Sequence, residues 1–177
     1  MKPLKFALFF LTLMIGCDDN DDQNNQTKFE GVLFTDQSGS SLGYMGDRDR
    51  SDWQNDGALK KGVLKLLDFD SDVDISGTSV SEVKVRAFPN PCAYVAIIDF
   101  SLTEDAFVKL AVVNEDMEVL FKTSFIGTEQ VMIDVADRKK FANNEIVRVY
   151  YSVSSQDNPN FYVGHGDIWI CENDCDF

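Results

Sequence analysis

The chain has 177 residues, with 16 basic and 30 acidic side chains and a formal net charge of −14. So acidic a chain lacks the basic footprint that phosphate backbones require, and we expect no nucleic-acid partner. The length suits one sizeable domain with an extension.

The N-terminus has the features of an export signal. The basic start Met1 to Lys5 is followed by the apolar run Phe6 to Ile15 and then by Gly16-Cys17. This run is too short to cross a bilayer as a helix, and it has the length of a signal-peptide core. We therefore expect residues 1–16 to be a cleaved signal peptide.

The stretch Leu13-Met14-Ile15-Gly16-Cys17 resembles the lipobox of bacterial lipoproteins. The resemblance implies that Cys17 carries lipid, which holds the protein on a membrane of the cell envelope. Residues 17–27 contain many acids and amides and nothing large to bury, so we expect a disordered tether.

The acidic run after Cys17 also resembles the surface-export signals of Bacteroidota lipoproteins, which implies the outer face of the outer membrane. A single Asp at this position resembles the inner-membrane retention signal of enterobacterial lipoproteins. Both locations stay open, and the length of the acidic cluster favours the surface.

Residues 28–81 are interpreted as an N-terminal β extension of the same domain. Lys28 to Phe34 favours a strand, and the Gly- and Ser-rich stretch Asp36 to Asp52 favours a long loop. Leu59 to Leu67 is ambiguous, because Leu59, Val63, Leu66 and Leu67 fit one helix face. Gly62 and the all-β context favour a strand. We expect the strand.

An acid at every second position marks the next segment, at Asp68, Asp70, Asp72 and Asp74. Calcium is a candidate ligand because hard cations take carboxylate oxygens. On a straight strand, however, same-face residues lie about 6.6 Å apart, and oxygens on one calcium lie at most about 5 Å apart. We therefore favour a strand with Phe69, Val73 and Ile75 inward and solvated acids, and we expect no cofactor.

From residue 82 onward, short apolar runs alternate with turn residues in the period of strands. Such a series favours an all-β fold, an immunoglobulin-like antiparallel β-sandwich of about seven strands over residues 82–177. The seven runs are Glu82 to Phe88, Ala93 to Leu102, Phe107 to Asn114, Glu118 to Phe125, Glu129 to Val135, Glu145 to Ser154, and Phe161 to Cys171.

Three stretches, Phe88-Pro89-Asn90-Pro91, Phe100-Ser101-Leu102 and the run from Val108 to Val119, resemble known modules. They are similar to the immunoglobulin-like modules of type IX secretion sorting domains and of flagellar hook-cap proteins. The resemblance covers residues 82–154 and implies the same sandwich.

Alternate residues of a strand point to opposite faces, which assigns the inward side chains. Some aromatic residues fall on the outward, polar face and are available for a binding surface. Trp53, Trp169, Tyr150 and Tyr162 are candidates for such exposed aromatics. The predicted inward residues are Tyr94, Ala96, Ile98, Phe100, Leu102, Val108, Leu110, Val112, Val119, Phe121, Val131, Ile133, Val135, Val147, Val149, Tyr151 and Val153.

Three cysteines follow Cys17, and an exported protein with three thiols suggests one disulfide. Cys171 and Cys175 can meet across a short turn. Alternatively, if the first strand runs parallel beside the last, Cys92 lies close to Cys171. We rank the local Cys171 to Cys175 bridge first.

The only histidine, His165, stands between two glycines, which favours a hairpin turn over a catalytic or metal-binding role. No recognisable acid–base pair accompanies it, so we expect no enzyme. The sequence thus predicts a surface- or envelope-exposed lipoprotein that binds a protein or a glycan. A structural accessory subunit of an envelope complex and a calcium-dependent adhesion module are the alternatives.

Overall fold

The computed structural model describes residues 31–172. The expectations for the signal peptide, for the tether 17–27, for Cys17 and for Cys175 lie outside these residues. The helix is α1 Lys61–Leu64, and the strands are β1 Gly31–Thr35, β2 Ser41–Gly46, β3 Val83–Phe88, β4 Val95–Leu102, β5 Phe107–Val113, β6 Val119–Ile126, β7 Gln130–Asp134, β8 Glu145–Ser154 and β9 Tyr162–Ile170.

The fold is an all-β sandwich, as the sequence predicted. Strands β3-β4-β7 form one antiparallel sheet, β6-β5-β8-β9 form a second, and β1 and β2 form a separate hairpin. After β6 the chain returns to the first sheet, so that β7 pairs with β4 rather than with its neighbour in sequence. This crossing makes the seven strands β3 to β9 an immunoglobulin-like sandwich.

The core lies between the two larger sheets. Phe100 of β4 meets Tyr151 of β8 edge to face, with ring centroids 5.7 Å apart, and meets Phe125 of β6 at 5.5 Å. Aliphatic residues of β5, such as the fully buried Leu110, fill the layer around these rings. The alternation of apolar residues therefore does select the inward faces, because only one face of each sheet meets the other.

Three residues predicted to be inward are instead exposed, and one of them is Ile75 of the acidic segment, at 38%. Tyr94 is 61% exposed because it lies just before β4 begins, and Val119 is 45% exposed. A register shift between Val112 and Val113 pairs Val113 with Val119 and Val112 with Phe121. One additional residue reverses the phase of a strand, which places Val119 on the outer face.

The N-terminal segment departs from expectation at two places. The region predicted to be a loop contains β2, which pairs with β1 across a turn at Asp36 to Gly39. Leu59 to Leu67 forms α1 and a following turn rather than a strand. The helical turn places Val63 against Val113 and Tyr150, and so it covers an apolar area on the outer face of the four-stranded sheet.

The acidic segment 68–75 is extended but is not a strand. It runs over the outer face of β5 and β6, where the Lys109 Nζ donates a hydrogen bond of 2.7 Å to the Phe69 carbonyl. The Phe69 ring also lies 4.9 Å from the Lys109 Nζ and 5.0 Å from the Lys122 Nζ. Acidic and less polar residues alternate along this segment because one of its sides contacts the sheet, although it does not pair with any strand. The four aspartates are exposed.

Of the two disulfide bridges that the sequence suggested, the one between Cys92 and Cys171 is correct about position but wrong about bonding. Cys92 does pair in parallel with Ile170 at the end of β9, and the Cys171 amide donates to the Cys92 carbonyl. Nevertheless Cys92 is a free thiol, and Cys171 is disulfide-bonded. The bridge through Cys92 is therefore absent, and burial raises the pKa of the Cys92 thiol to about 12.

Candidate functional site

The edge of β9 that does not pair with β8 is covered by two other segments of the chain. β9 is the end strand of the four-stranded sheet, so one row of its backbone groups faces away from β8. Trp53 and Asp56 donate backbone hydrogen bonds to the carbonyls of His165 and Val163. Near the other end of β9, the Cys92 amide donates to the Trp169 carbonyl. An edge that is satisfied in this way does not pair with other chains.

Asn90 connects β1 with this edge. Its side-chain amide donates to the carbonyls of Leu33 and Asp167, both at 2.9 Å, and its Oδ1 accepts the Trp169 amide. Its backbone exchanges two hydrogen bonds with Thr35. A buried side chain with every partner satisfied fixes a unique arrangement, so Asn90 positions the N-terminal hairpin against β9.

Residues 47–57, here called the edge segment, contain four aspartates and run along the edge of β9. The imidazole of His165 lies between two of them. Its Nδ1 is 2.7 Å from the Asp56 Oδ2, and its Nε2 is 3.3 Å from the Asp49 Oδ2. The prediction that His165 forms a hairpin turn is wrong, since it lies in the middle of β9 opposite Tyr150. The flanking glycines face the core instead.

These two glycines make room for the edge segment. A Cβ added at Gly166 would come within 2.2 Å of the Trp53 ring, and one at Gly164 within 2.2 Å of the Gln54 carbonyl oxygen. Trp53 is 3% exposed and stacks on Tyr151 with ring centroids 6.3 Å apart. It is therefore a core residue, not an exposed aromatic.

The other aromatic candidates are also covered. Tyr150 is buried beneath α1. Trp169 stacks on Phe34 at 5.9 Å, and Tyr162 stacks on Tyr151 at 6.1 Å. Trp169 and Tyr162 are half-buried, so the four predicted aromatics do not form an open binding surface.

A buried ion pair lies beside His165. The Arg148 guanidinium donates to both oxygens of Asp167, with its Nε at 2.7 Å and its Nη2 at 2.6 Å. The two residues face each other across β8 and β9. Burial raises the pKa of Asp167, and the hydrogen bonds and the charge of Arg148 oppose that shift. A two-bond geometry of this kind is the strongest ion pair that arginine forms.

Asp52 contributes a further buried carboxylate. Its Oδ1 accepts the Asp167 amide at 2.8 Å, and its Oδ2 accepts the Leu33 amide at 3.2 Å. Burial and then the negative charge of Asp167 raise the pKa of Asp52 to about 7. Asp52 thus fastens the edge segment to both β1 and β9.

The two carboxylates at the imidazole have a defined electrostatic effect. Burial acts to raise the pKa of Asp49, but hydrogen bonds from Ser51 and His165 outweigh it and hold this pKa below its ordinary value. Burial is the largest single influence and acts to lower the pKa of His165, but the hydrogen bonds to Asp56 and Asp49 and the charge of Asp56 together outweigh it, so that this pKa is raised. The geometry therefore favours the doubly protonated imidazolium, because carboxylates only accept hydrogen bonds and each ring nitrogen faces one.

Metal binding has little geometric basis within residues 31–172, where no three His, Cys, Asp or Glu residues are grouped to hold an ion. Asp49 and Asp56 lie against opposite nitrogens of one ring, so they cannot share a cation with it. In the same range, no helix is long and apolar enough to cross a membrane. Comparisons of the chain with protein-family models, with curated proteins and with solved structures found no match.

Sequence reasoning did not identify Asp49, Asp52, Asp56, Arg148 or Asp167 as one group. One signal was available: Arg148 and Asp167 interrupt apolar runs that were both assigned to strands. A charge within a buried strand requires a partner, and each of these residues is the other's partner.

Proposed function

We propose that the protein is a lipid-anchored envelope lipoprotein, exposed at the outer-membrane surface, that binds a protein without catalysis. The anchor rests on Gly16-Cys17 after a short apolar run, together with the acidic residues that follow. Several acyl chains at Cys17 would make attachment effectively permanent, at about 0.8 kcal/mol for each buried methylene. The domain would then act where its anchor places it.

The buried and half-buried charged residues at the edge of β9 are here called the polar cluster, and their geometry supports a non-catalytic role. They are Asp49, Asp52, Asp56, Arg148, His165 and Asp167. His165 has a carboxylate at each ring nitrogen, so in its doubly protonated form it offers no lone pair to act as a general base. The free thiol Cys92 is buried in the core, and its raised pKa disfavours the nucleophilic thiolate. Among the described residues, every buried side-chain nitrogen and oxygen has a hydrogen-bond partner. These groups serve the fold.

The observation that carries the binding proposal is an exposed apolar patch on the outer face of the three-stranded sheet. Met132 of β7 is 71% exposed, and Val95 of β4 is 40% exposed. Ile97 lies directly opposite Met132 in the ladder, and Val95 shares its face. β7 is an end strand, so a partner can approach the patch from the side.

The chemistry of this patch favours a protein over a glycan. Methionine is enriched in protein interfaces, since its flexible thioether adapts to different partner shapes. Sugar recognition relies on hydrogen bonds to hydroxyl groups. Val95 and Ile97 offer none, and the thioether of Met132 is only a weak acceptor. An acidic partner surface is disfavoured, because the chain itself carries a net charge of −14.

A photo-crosslinking amino acid at position 132 tests the proposal in intact membranes. We expect a crosslink to one protein. In a second chain, which carries the crosslinker at position 95, we expect a crosslink to the same protein, and we expect Met132→Asp to abolish that crosslink. Val119→Asp is the matched control, because Val119 is 45% exposed on the other sheet, and it should retain the crosslink. Equal loss in both variants, or recovery of glycan in place of protein, would contradict the proposal.

A further inference from the structure

The side chain of His165 contacts both ends of the edge segment, which covers the edge of β9. One segment supplies both carboxylates, Asp49 and Asp56, at the two nitrogens of a single imidazole. Between these aspartates, Trp53 fills the space over Gly166 and its amide bonds to the His165 carbonyl. The side chain of His165 thus holds the two ends of a segment whose middle covers the strand edge.

We propose that the edge segment is a pH-responsive cover, held on β9 in part by the charged imidazole of His165 and opening more often as that charge is lost. The neutral ring has one N–H, so it can donate to only one of the two aspartates. The other carboxylate then faces a nitrogen lone pair at close range, which repels it. The segment loses a charge-assisted hydrogen bond at one of its ends.

The surrounding charges act on the imidazolium in opposite directions. From β8, Arg148 disfavours the imidazolium, whereas the carboxylates of the edge segment favour it. Deprotonation of His165 removes the cation that balances several buried acids. The charged and titratable groups that face the ring are Asp49 and Asp56 of the edge segment, Arg148 and Tyr150 of β8, and Asp167 of β9, and Asp52 interacts with Asp49 and Asp167 of this group.

The sign of the pH dependence follows from the raised pKa values of His165 and Asp52. His165 contributes its full stabilisation below its unfolded value of 6.5, and loses it as pH rises through the higher folded value. The pKa of Asp52 is raised from 3.8 to about 7. Its contribution to stability is therefore complete below pH 3.8 and is lost as the pH rises from 3.8 to about 7. Both groups therefore hold the cover more tightly in mild acid than in alkali.

Release of the edge segment would have a structural consequence. The carbonyls of Val163 and His165 would lose the amides of Asp56 and Trp53, and the space over Gly166 would open. An uncovered strand edge beside an apolar space can accept an added strand. The cover thus couples pH to the exposure of an edge that is closed at low pH.

Two measurements test this proposal. Because His165 is the only histidine, its ring signals in nuclear magnetic resonance are unambiguous. We expect both ring nitrogens to be protonated at pH 6, with a pKa above 6.5. Titration at or below 6.5 in the folded protein would overturn the proposal, and this result does not depend on any variant.

Hydrogen exchange then measures the cover itself. After correction for intrinsic rates, we expect protection of the Trp53 and Asp56 amides to fall about tenfold as His165 loses its proton, which is the loss of one charge-assisted hydrogen bond. The Leu110 amide in the central strand β5 should stay constant as an internal reference. In His165→Gln, the decrease above pH 6.5 should disappear. An unchanged profile in this variant would refute the role of His165.

Discussion

Replacing Arg148 with Met is expected to lower the free energy of unfolding by about 3–5 kcal/mol. The substitution keeps an unbranched, flexible side chain but removes the cation that bonds both oxygens of Asp167. The side chain of Asp167 is 0% exposed, so its charge cannot turn to water. Chemical denaturation at pH 7 measures the change.

Two further variants distinguish the cost of leaving a buried charge unpaired from the cost of losing side-chain contacts. Arg86→Met removes a cation from Asp99, but the Arg86 side chain is 51% exposed and Gln130 and Ser101 also donate to that carboxylate. We expect a loss of about 1 kcal/mol or less there. Adding Asp167→Leu to Arg148→Met should recover part of the stability. A loss at Arg148 no larger than that at Arg86 would contradict this account of the pair.

Replacing Trp53 with Ala is expected to cost about 3–5 kcal/mol. The indole fills the space left by Gly166, stacks on Tyr151 and belongs to the main core. Its backbone φ of 60° is unusual for a large residue, which indicates that packing holds the segment in place. Thermal or urea unfolding provides the measurement.

Trp169→Ala is the matched control for this change. Trp169 also stacks on one aromatic ring, that of Phe34, but it is half-buried on the outer face. Its removal leaves no closed cavity, so we expect a clearly smaller loss than at Trp53. Equal losses would mean that Trp53 does not act as a core residue.

The seven strands of the sandwich were predictable because their signal is local. In β8, Val147, Val149, Tyr151 and Val153 alternate with residues of the other face, and turn residues mark both ends. The same reasoning misassigned Leu59 to Leu67, where tertiary contact of Val63 with Val113 and Tyr150 favours a helical turn. A short apolar run does not distinguish the two periods.

The polar cluster was not predictable because it depends on register and on distant contacts. Arg148 meets Asp167 only in one alignment of β8 with β9. Asp56 reaches His165 across 109 residues of sequence. The glycines beside His165 were interpreted as turn residues, although they face the core and accommodate Trp53. Glycine in a strand interior often marks a site of close approach.

Attachment through Cys17 is the central claim of this account, and acyl labelling tests it most directly. Cells that express the full chain are fed a fatty-acid probe, and the protein is followed in the membrane and soluble fractions. We predict that Cys17→Ser abolishes the label and releases the protein from the membrane, whereas the control Cys92→Ala keeps both label and location. A Cys17→Ser variant that still labels and stays in the membrane fraction would contradict the account.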